Sequence, residues 1–375
     1  MSIVEVWQRD PTVSTATALE VPPRYPELVG PPDASDAAAL SELLDAELAF
    51  DATTSTRLSN HLPMALVALH RLGASDDRLA EFASGYRGRL APVPAGEPVG
   101  DFDEWRAARG RRGAYGSMRG YFDRAIERDG VDSVVRRHVA HLADGLSGAA
   151  FHGIIRLAYS LESESDARVA AGLAYLSEVY QPLGAKGRSA PWTTDPAAAL
   201  RRLSDVAVLQ RLARTGNIGE RMRQVASHPS FAGVVDWLEV TDDTPARLTA
   251  AAVALYAATD DFTALHGVTA SHAIMIVSRH VDDTAALSSW WFQALAAAYV
   301  TIGAPRLTDP VQGLTSWLGT ASTWDEIGAA ATRSDDEHVV KLVYSARELH
   351  AATADPLLLP AAARRVGATQ GAAGG

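Results

Sequence analysis

The sequence contains no cysteine, which excludes disulfides, iron–sulfur clusters, thiolate zinc sites and cysteine nucleophiles. Lysine is nearly absent too: of 34 basic residues only Lys186 and Lys341 are lysine. A net charge of −11 argues against a nucleic-acid or anionic-membrane partner. The longest nearly apolar runs, Leu248–Ala258 and Trp291–Ala304, fall short of the roughly 20 residues that span a bilayer. The start, MSIVEVWQRD, has no basic segment followed by an apolar one, so a soluble cytoplasmic protein is expected. Dinucleotide fingerprints, Walker loops, GxSxG elbows and paired Glu-x-x-His motifs are missing, and Gly110, Gly113 and Gly116 have the wrong spacing to substitute for the first.

What is there is helical. Hydrophobic residues make up 47% of 375 and charged ones 21%, enough for a large unstapled core. Alternating strand patterns are scarce, and Ala and Leu dominate segments of helical period. The spacing predicts helices from Asp36 to Leu48, from Leu58 to Leu72 with Gly73 as its stop, and over Tyr115–Arg128, Val131–Leu146, Phe151–Tyr180, Pro196–Arg214, Gly219–Ala226 and Val234–Leu238. Further helices are predicted as a hairpin from Thr244 to Val281, then Ala285–Gly303, Trp324–Arg333 and Asp336–Thr353. The expected architecture is mostly α: a single large multi-helical domain over 36–360, with no Rossmann or β-barrel domain. An extended Pro- and Thr-rich arm precedes it at 1–35, the segment 181–195 reads as a linker or lid, and 361–375 reads as a disordered tail.

With cysteine absent, metal chemistry falls to histidine and oxygen ligands. Most of the eleven histidines have ordinary explanations. His70 and His350 lie near helix ends, His228 precedes Pro229 in a turn, and His138 with His141 shares one helical face that suits a metal pair and equally a solvent-exposed pair. The step His280-Val281-Asp282 imitates a facial triad, but Asp282 looks like a helix N-cap. His61, His152, His266, His272 and His338 instead stand in apolar helices, where an unpaired imidazole is costly. His338 and Lys341, three residues apart, share one helical face. Arg is this chain's default cation and cannot be deprotonated, so a Lys among Val339, Val340, Leu342 and Val343 suggests a neutral amine. That amine would form a Schiff base or a metal-binding carbamate; the alternative is a lysine snorkelling to the surface.

Five segments, NHLPMALVALHRLGAS, YGSMRGYFDRAIERDG, FHGIIRLAYSLESESDARVAAGLAYL, LHGVTASHAIMI and DEHVVKLVYSARE, resemble the questin oxidase-like family, in the family's order, from about residue 40 to 355. The resemblance implies a helical fold with a buried mononuclear iron held by histidines and a carboxylated lysine. It implies oxidation of anthraquinone-like or related aromatic polyketides by Baeyer–Villiger-type insertion or oxidative ring cleavage, with Fe(II), O2 and in some members NADPH. Carried over residue by residue, the ligands would be His61, His152, His266, His338 and Lys341, the last N6-carboxylated. The chain departs from the fungal pattern at Ser59 and Met64, where those members carry more histidine, and in its shorter length. His272 lies close to His266 and competes with it for the ligand role.

On that reading Tyr159, Trp290 and Trp291 would line an apolar substrate pocket, and Glu162 and Glu337 would orient imidazoles. NADPH would act as a diffusible reductant, since no nucleotide motif is visible. Two other readings stay open: a carbamylated-lysine metal hydrolase, and a non-catalytic helical protein that binds small molecules.

Overall fold

The computed structural model describes residues 36–373 except 164, 188, 213–214 and 306–322; the expected arm at 1–35 lies outside the described residues. The chain runs through α1 (Asp36–Glu47), β1 (Phe50–Thr54), α2 (Leu62–Arg71), α3 (Asp76–Tyr86), β2 (Leu90–Pro92), α4 (Phe102–Ala108), α5 (Tyr115–Asp129), α6 (Val131–Val139), α7 (His152–Leu161) and α8 (Asp166–Glu178). It continues through α9 (Pro196–Ser204), α10 (Ala207–Gln210), α11 (Ile218–Ala226), α12 (Thr244–Thr259), α13 (Phe262–Val277), α14 (Thr284–Thr301), α15 (Trp324–Thr332), α16 (Glu337–Thr353) and α17 (Leu358–Ala373). The fold is mostly α around one continuous hydrophobic core. Among the described residues the single sheet is the antiparallel pair β1–β2, with no Rossmann or barrel domain. No described helix is long and apolar enough to cross a membrane.

Short polar caps set many of the boundaries. Ser75, Asp101, Asn217, Asp261, Thr323 and Asp336 each accept backbone N–H groups from the first turn of the helix that follows. Gly73, at φ 87°, closes α2 as expected. Several expectations need correcting. The helix read from Leu58 begins at Leu62, because Pro63 takes a first-turn position and the residues before it turn back to pair Ser59 with Thr53. The segment Phe151–Tyr180 is two helices, α7 and α8, broken after Leu161. Asp283 rather than Asp282 caps α14; Asp282 pairs with Arg136. The region expected to be a disordered tail continues as α17, with Ala361, Ala362, Ala363 and Val366 buried. Apolar spacing explains that burial, although the glycines around it suggested disorder.

Among its described residues the segment 181–195 carries no helix or strand, yet it is tied down. Gln181 N–H donates to the Gly145 carbonyl, Glu239 N–H to the Thr193 carbonyl, and Gly187 N–H to Asp236 Oδ2.

Four helices position the site. α2 packs on α7, α7 on α13, α13 on α16, and α16 back on α2, a closed ring of contacts.

Candidate metal centre

Each helix of that ring supplies one histidine, and each from its N-terminal end. His61 is the N-cap of α2, His152 opens α7, His266 is one turn into α13, and His338 is the second residue of α16. The rings meet. His61 stacks on His152 at 4.5 Å between centroids and meets His338 edge-on at 4.7 Å, while His266 lies 4.9 Å from His152 and 5.4 Å from His338. Nitrogens of His61, His152 and His338 all lie within 4.8 Å of one another. Lys341 follows His338 by one turn, is 2% exposed, and acts electrostatically on all four imidazoles.

The backbone is built to present these rings. Ala149, Ala150 and Phe151, all non-glycine, hold left-handed φ of 48°, 55° and 69° immediately before His152. Three such residues in succession store strain, which a fold retains when its surroundings fix the turn. The turn places the Ala149 carbonyl where it accepts His152 Nδ1–H at 2.6 Å. On the other side, a buried knot joins α1, α2 and α7. Asn60 Nδ2 donates to Glu47 Oε1 at 2.7 Å, and Arg156 NH2 donates to both Glu47 oxygens at 3.0 Å. Asn60 Oδ1 accepts the Leu62 N–H at 3.0 Å, and the Tyr86 hydroxyl accepts the His61 N–H at 3.0 Å.

Three of the four rings have Nδ1 hydrogen-bonded to a neighbour, and the His61 Nδ1 faces a carboxylate. His152 Nδ1 is held by Ala149, His266 Nδ1 lies 2.7 Å from the Phe262 carbonyl, His338 Nδ1 lies 3.3 Å from Asp336 Oδ1, and His61 Nδ1 lies 3.3 Å from Glu337 Oε1. The His61 contact is close without hydrogen-bond alignment. An Nδ1–H given to a carbonyl or carboxylate leaves Nε2 as the lone-pair nitrogen. His152 Nε2 is buried with no hydrogen-bond partner among the described residues, an arrangement that wants a ligand. Burial first, then neighbouring cationic groups that include Lys341, holds His61, His152 and His266 well below the usual histidine range. Burial also lowers His338, and it pulls the Lys341 amine down to about 8. Four neutral imidazoles and a readily deprotonated amine form a donor set that fits a borderline transition metal.

A model of the questin oxidase-like family matches residues 58–346, more than three-quarters of the chain. The chain belongs to the questin oxidase-like family. A search of curated proteins returns no significant match. Membership supports a polyketide-tailoring oxidase, an oxidoreductase, in general terms.

In this family member the other expected site residues are spread more widely. His272 is not in the cluster. Six residues beyond His266, it is rotated by about 240° around the helix, and its Nδ1 lies 3.2 Å from Ser345 Oγ beside Tyr159 and Tyr344. Glu162 touches no imidazole among the described residues; its Oε1 accepts from the Tyr344 hydroxyl at 2.8 Å. Glu337 does sit on an imidazole, that of His61, backed by Arg89 at 3.3 Å. Tyr159 packs on Tyr344, Trp291 packs on Phe151 beneath the left-handed turn, and Trp290 lies under Lys186. None of these three has a ring contact with the four clustered histidines among the described residues. His138, expected as a surface residue or half of a metal pair, is buried, with Nε2 2.9 Å from the Tyr121 hydroxyl.

Sequence reasoning missed Asp336, Tyr86 and Phe262. The Phe262 ring lies 4.7 Å from both His266 and His338 while the residue stays 47% exposed. An exposed aromatic at an N-terminal turn, four residues before a singled-out histidine, was the available signal.

Proposed function

We propose that this chain is a non-haem iron oxygenase acting on an aromatic polyketide, an anthraquinone-like compound or related polyphenol. Convergence of four imidazoles, three buried and that of His338 half-buried, and one buried lysine from a ring of helices carries the reading. His61, His152, His266 and His338 would hold Fe(II) through the nitrogens that face no neighbour. Lys341, as its N6-carboxylate, would add the anionic oxygen that a carboxylate supplies in facial-triad enzymes. Electrostatics favours that modification. Four helix N-terminal ends meet at the cluster, each a partial positive charge, so a divalent cation there is short of anions. Asp336 and Glu337 are already paired with Arg365 and Arg89. Carboxylation turns a cationic side chain into an anionic one, and an amine near pKa 8 is free to react with CO2.

Iron in this position would supply a Lewis-acidic, redox-active centre for activating dioxygen beside a phenolic substrate. The protein's own part is to bind and orient. The exposed face of Phe262 offers an aromatic ring a stacking surface beside His266 and His338. Tyr86 and the Glu47–Asn60–Arg156 knot hold the entrance of α2 and so the His61 ring. Baeyer–Villiger-type insertion requires two electrons beyond those of the ketone, which diffusible NADPH would supply; oxidative ring cleavage that incorporates both oxygen atoms requires none.

Metal analysis of protein purified anaerobically tests the reading. About one iron per chain is expected, lost in His338→Ala and Lys341→Ala, with oxygen uptake on addition of anthraquinols. Zinc or nickel without oxygen uptake would favour a hydrolase, and metal-free protein insensitive to both substitutions would refute a metal centre.

A further inference from the structure

His338 is held from outside the segment that the family match covers. Asp336 Oδ1 accepts the His338 backbone N–H at 2.8 Å and lies 3.3 Å from the ring Nδ1. The second carboxylate oxygen, Oδ2, accepts from Arg365 NH2 at 2.9 Å. Arg365 lies on α17, beyond residue 346 where the match ends. That helix is fixed to the core: Leu358, Ala362 and Val366 are buried, and Arg364 donates to the Tyr256 and Ala257 carbonyls of α12 at 3.0 and 2.9 Å.

The geometry divides the work on one carboxylate. With Oδ1 alone engaged, the group could turn about its bond to Cβ and lose the ring. A guanidinium on Oδ2 fixes its plane so that Oδ1 keeps facing Nδ1. A carboxylate facing Nδ1 keeps the proton there and leaves Nε2 with the lone pair. Glu337 also lies near this ring and acts on it electrostatically, but its close contacts go to His61 and Arg89. As an ion pair, Arg365–Asp336 is 23% and 34% exposed, a setting in which stabilisation alone is small.

We propose that Arg365 is a positioning residue for the candidate centre, locking Asp336 so that His338 is held as the Nδ1–H tautomer with Nε2 available to a metal. The assignment rests on the metal reading above, but its key readout does not. In metal-free protein, long-range nitrogen–proton correlation spectra, with the His338 signals assigned by their loss in His338→Gln, report which ring nitrogen carries the proton. The Nδ1–H form is expected in the wild type and in Arg365→Lys, and a mixture of tautomers in Arg365→Met and Asp336→Asn. In parallel, anaerobic Fe(II) titration against a competing chelator should show affinity weakened by about tenfold or more in Arg365→Met and largely kept in Arg365→Lys. If Arg365→Met fails to fold, Asp336→Asn, which keeps the helix cap while removing the charge that Arg365 pairs with, carries the same comparison. Folded variants with wild-type tautomer and affinity would overturn the proposal. A wild type that binds no Fe(II) would sink the metal reading, leaving the tautomer comparison to decide the positioning role by itself.

Discussion

At the scale of single residues, the burial of Lys341 makes a prediction that needs no metal. The residue is 2% exposed, and its amine makes no hydrogen bond or ion pair among the described residues. Desolvation opposes its charge, while Glu337 and Asp336 compensate only in part. Replacing such a group by an apolar side chain of similar length should stabilise the metal-free protein, so Lys341→Met is expected to raise its unfolding free energy by about 1–3 kcal/mol. Lys341→Arg, which cannot shed its charge and is bulkier, should lower it by about 2–4 kcal/mol. Urea unfolding of the two metal-free variants checks both signs, and a destabilised Lys341→Met would mean that the amine is compensated. This residue was legible in the sequence because Arg is the chain's default cation, and the four histidines were legible because imidazoles interrupt apolar helices. Asp336 was not: in the run Ser334-Asp335-Asp336-Glu337 it reads as an ordinary helix cap. Its further contacts, with the ring of His338 and with Arg365, depend on where α17 packs.

Among the elements, the turn into α7 is the most demanding piece of backbone. Its three left-handed residues follow Gly148, where an added Cβ would lie 1.8 Å from the Val179 carbonyl oxygen and 2.7 Å from its carbon. Both are backbone atoms at the end of α8, so neither can swing aside. Gly148→Ala is therefore expected to cost about 3 kcal/mol and, by moving the turn, to weaken metal binding through His152. Thermal melts together with Fe(II) titration check this, and a variant with unchanged stability would mean that the turn and α8 part easily. Helices with strong apolar spacing and plain stop signals, such as α5, α12–α13 and α14, were readable from the sequence. The strand pair was too short to show alternation. The break between α7 and α8 falls in Glu162–Ser165, a polar stretch without glycine or proline, and only the fold of α8 back along α7 reveals it.

Over the whole molecule, the buried histidines should dominate the response to acid. Burial lowers His61, His152, His266 and His338 in the cluster, and outside it His272 to about 3 and His138 to about 4. A histidine lowered on folding contributes nothing to the pH dependence above the unfolded value of about 6.5 and destabilises progressively below it, because the unfolded chain binds the proton first. Glu162 and Glu178 work in the opposite sense. Burial pushes both up to about 7, so the native state takes up their protons first and gains stability as the pH falls from about 7 toward the unfolded carboxyl value. These two carboxyls roughly offset His272 and His138, while Glu47, Asp123 and Asp355, also raised by burial, oppose the four clustered histidines only in part. Four protons bound preferentially by the unfolded state set an upper limit of about 5 kcal/mol per pH unit on the slope once the unfolded histidines are fully charged. Unfolding free energies of the metal-free protein, measured in urea at pH 7.5, 6.5 and 5.5, should change little over the first interval and fall steeply over the second. His272→Gln should shallow the lower slope by about one proton, or roughly 1.4 kcal/mol per pH unit. A flat profile down to pH 5.5 would mean that water or a counter-charge reaches the cluster and that its imidazoles are not held neutral by burial.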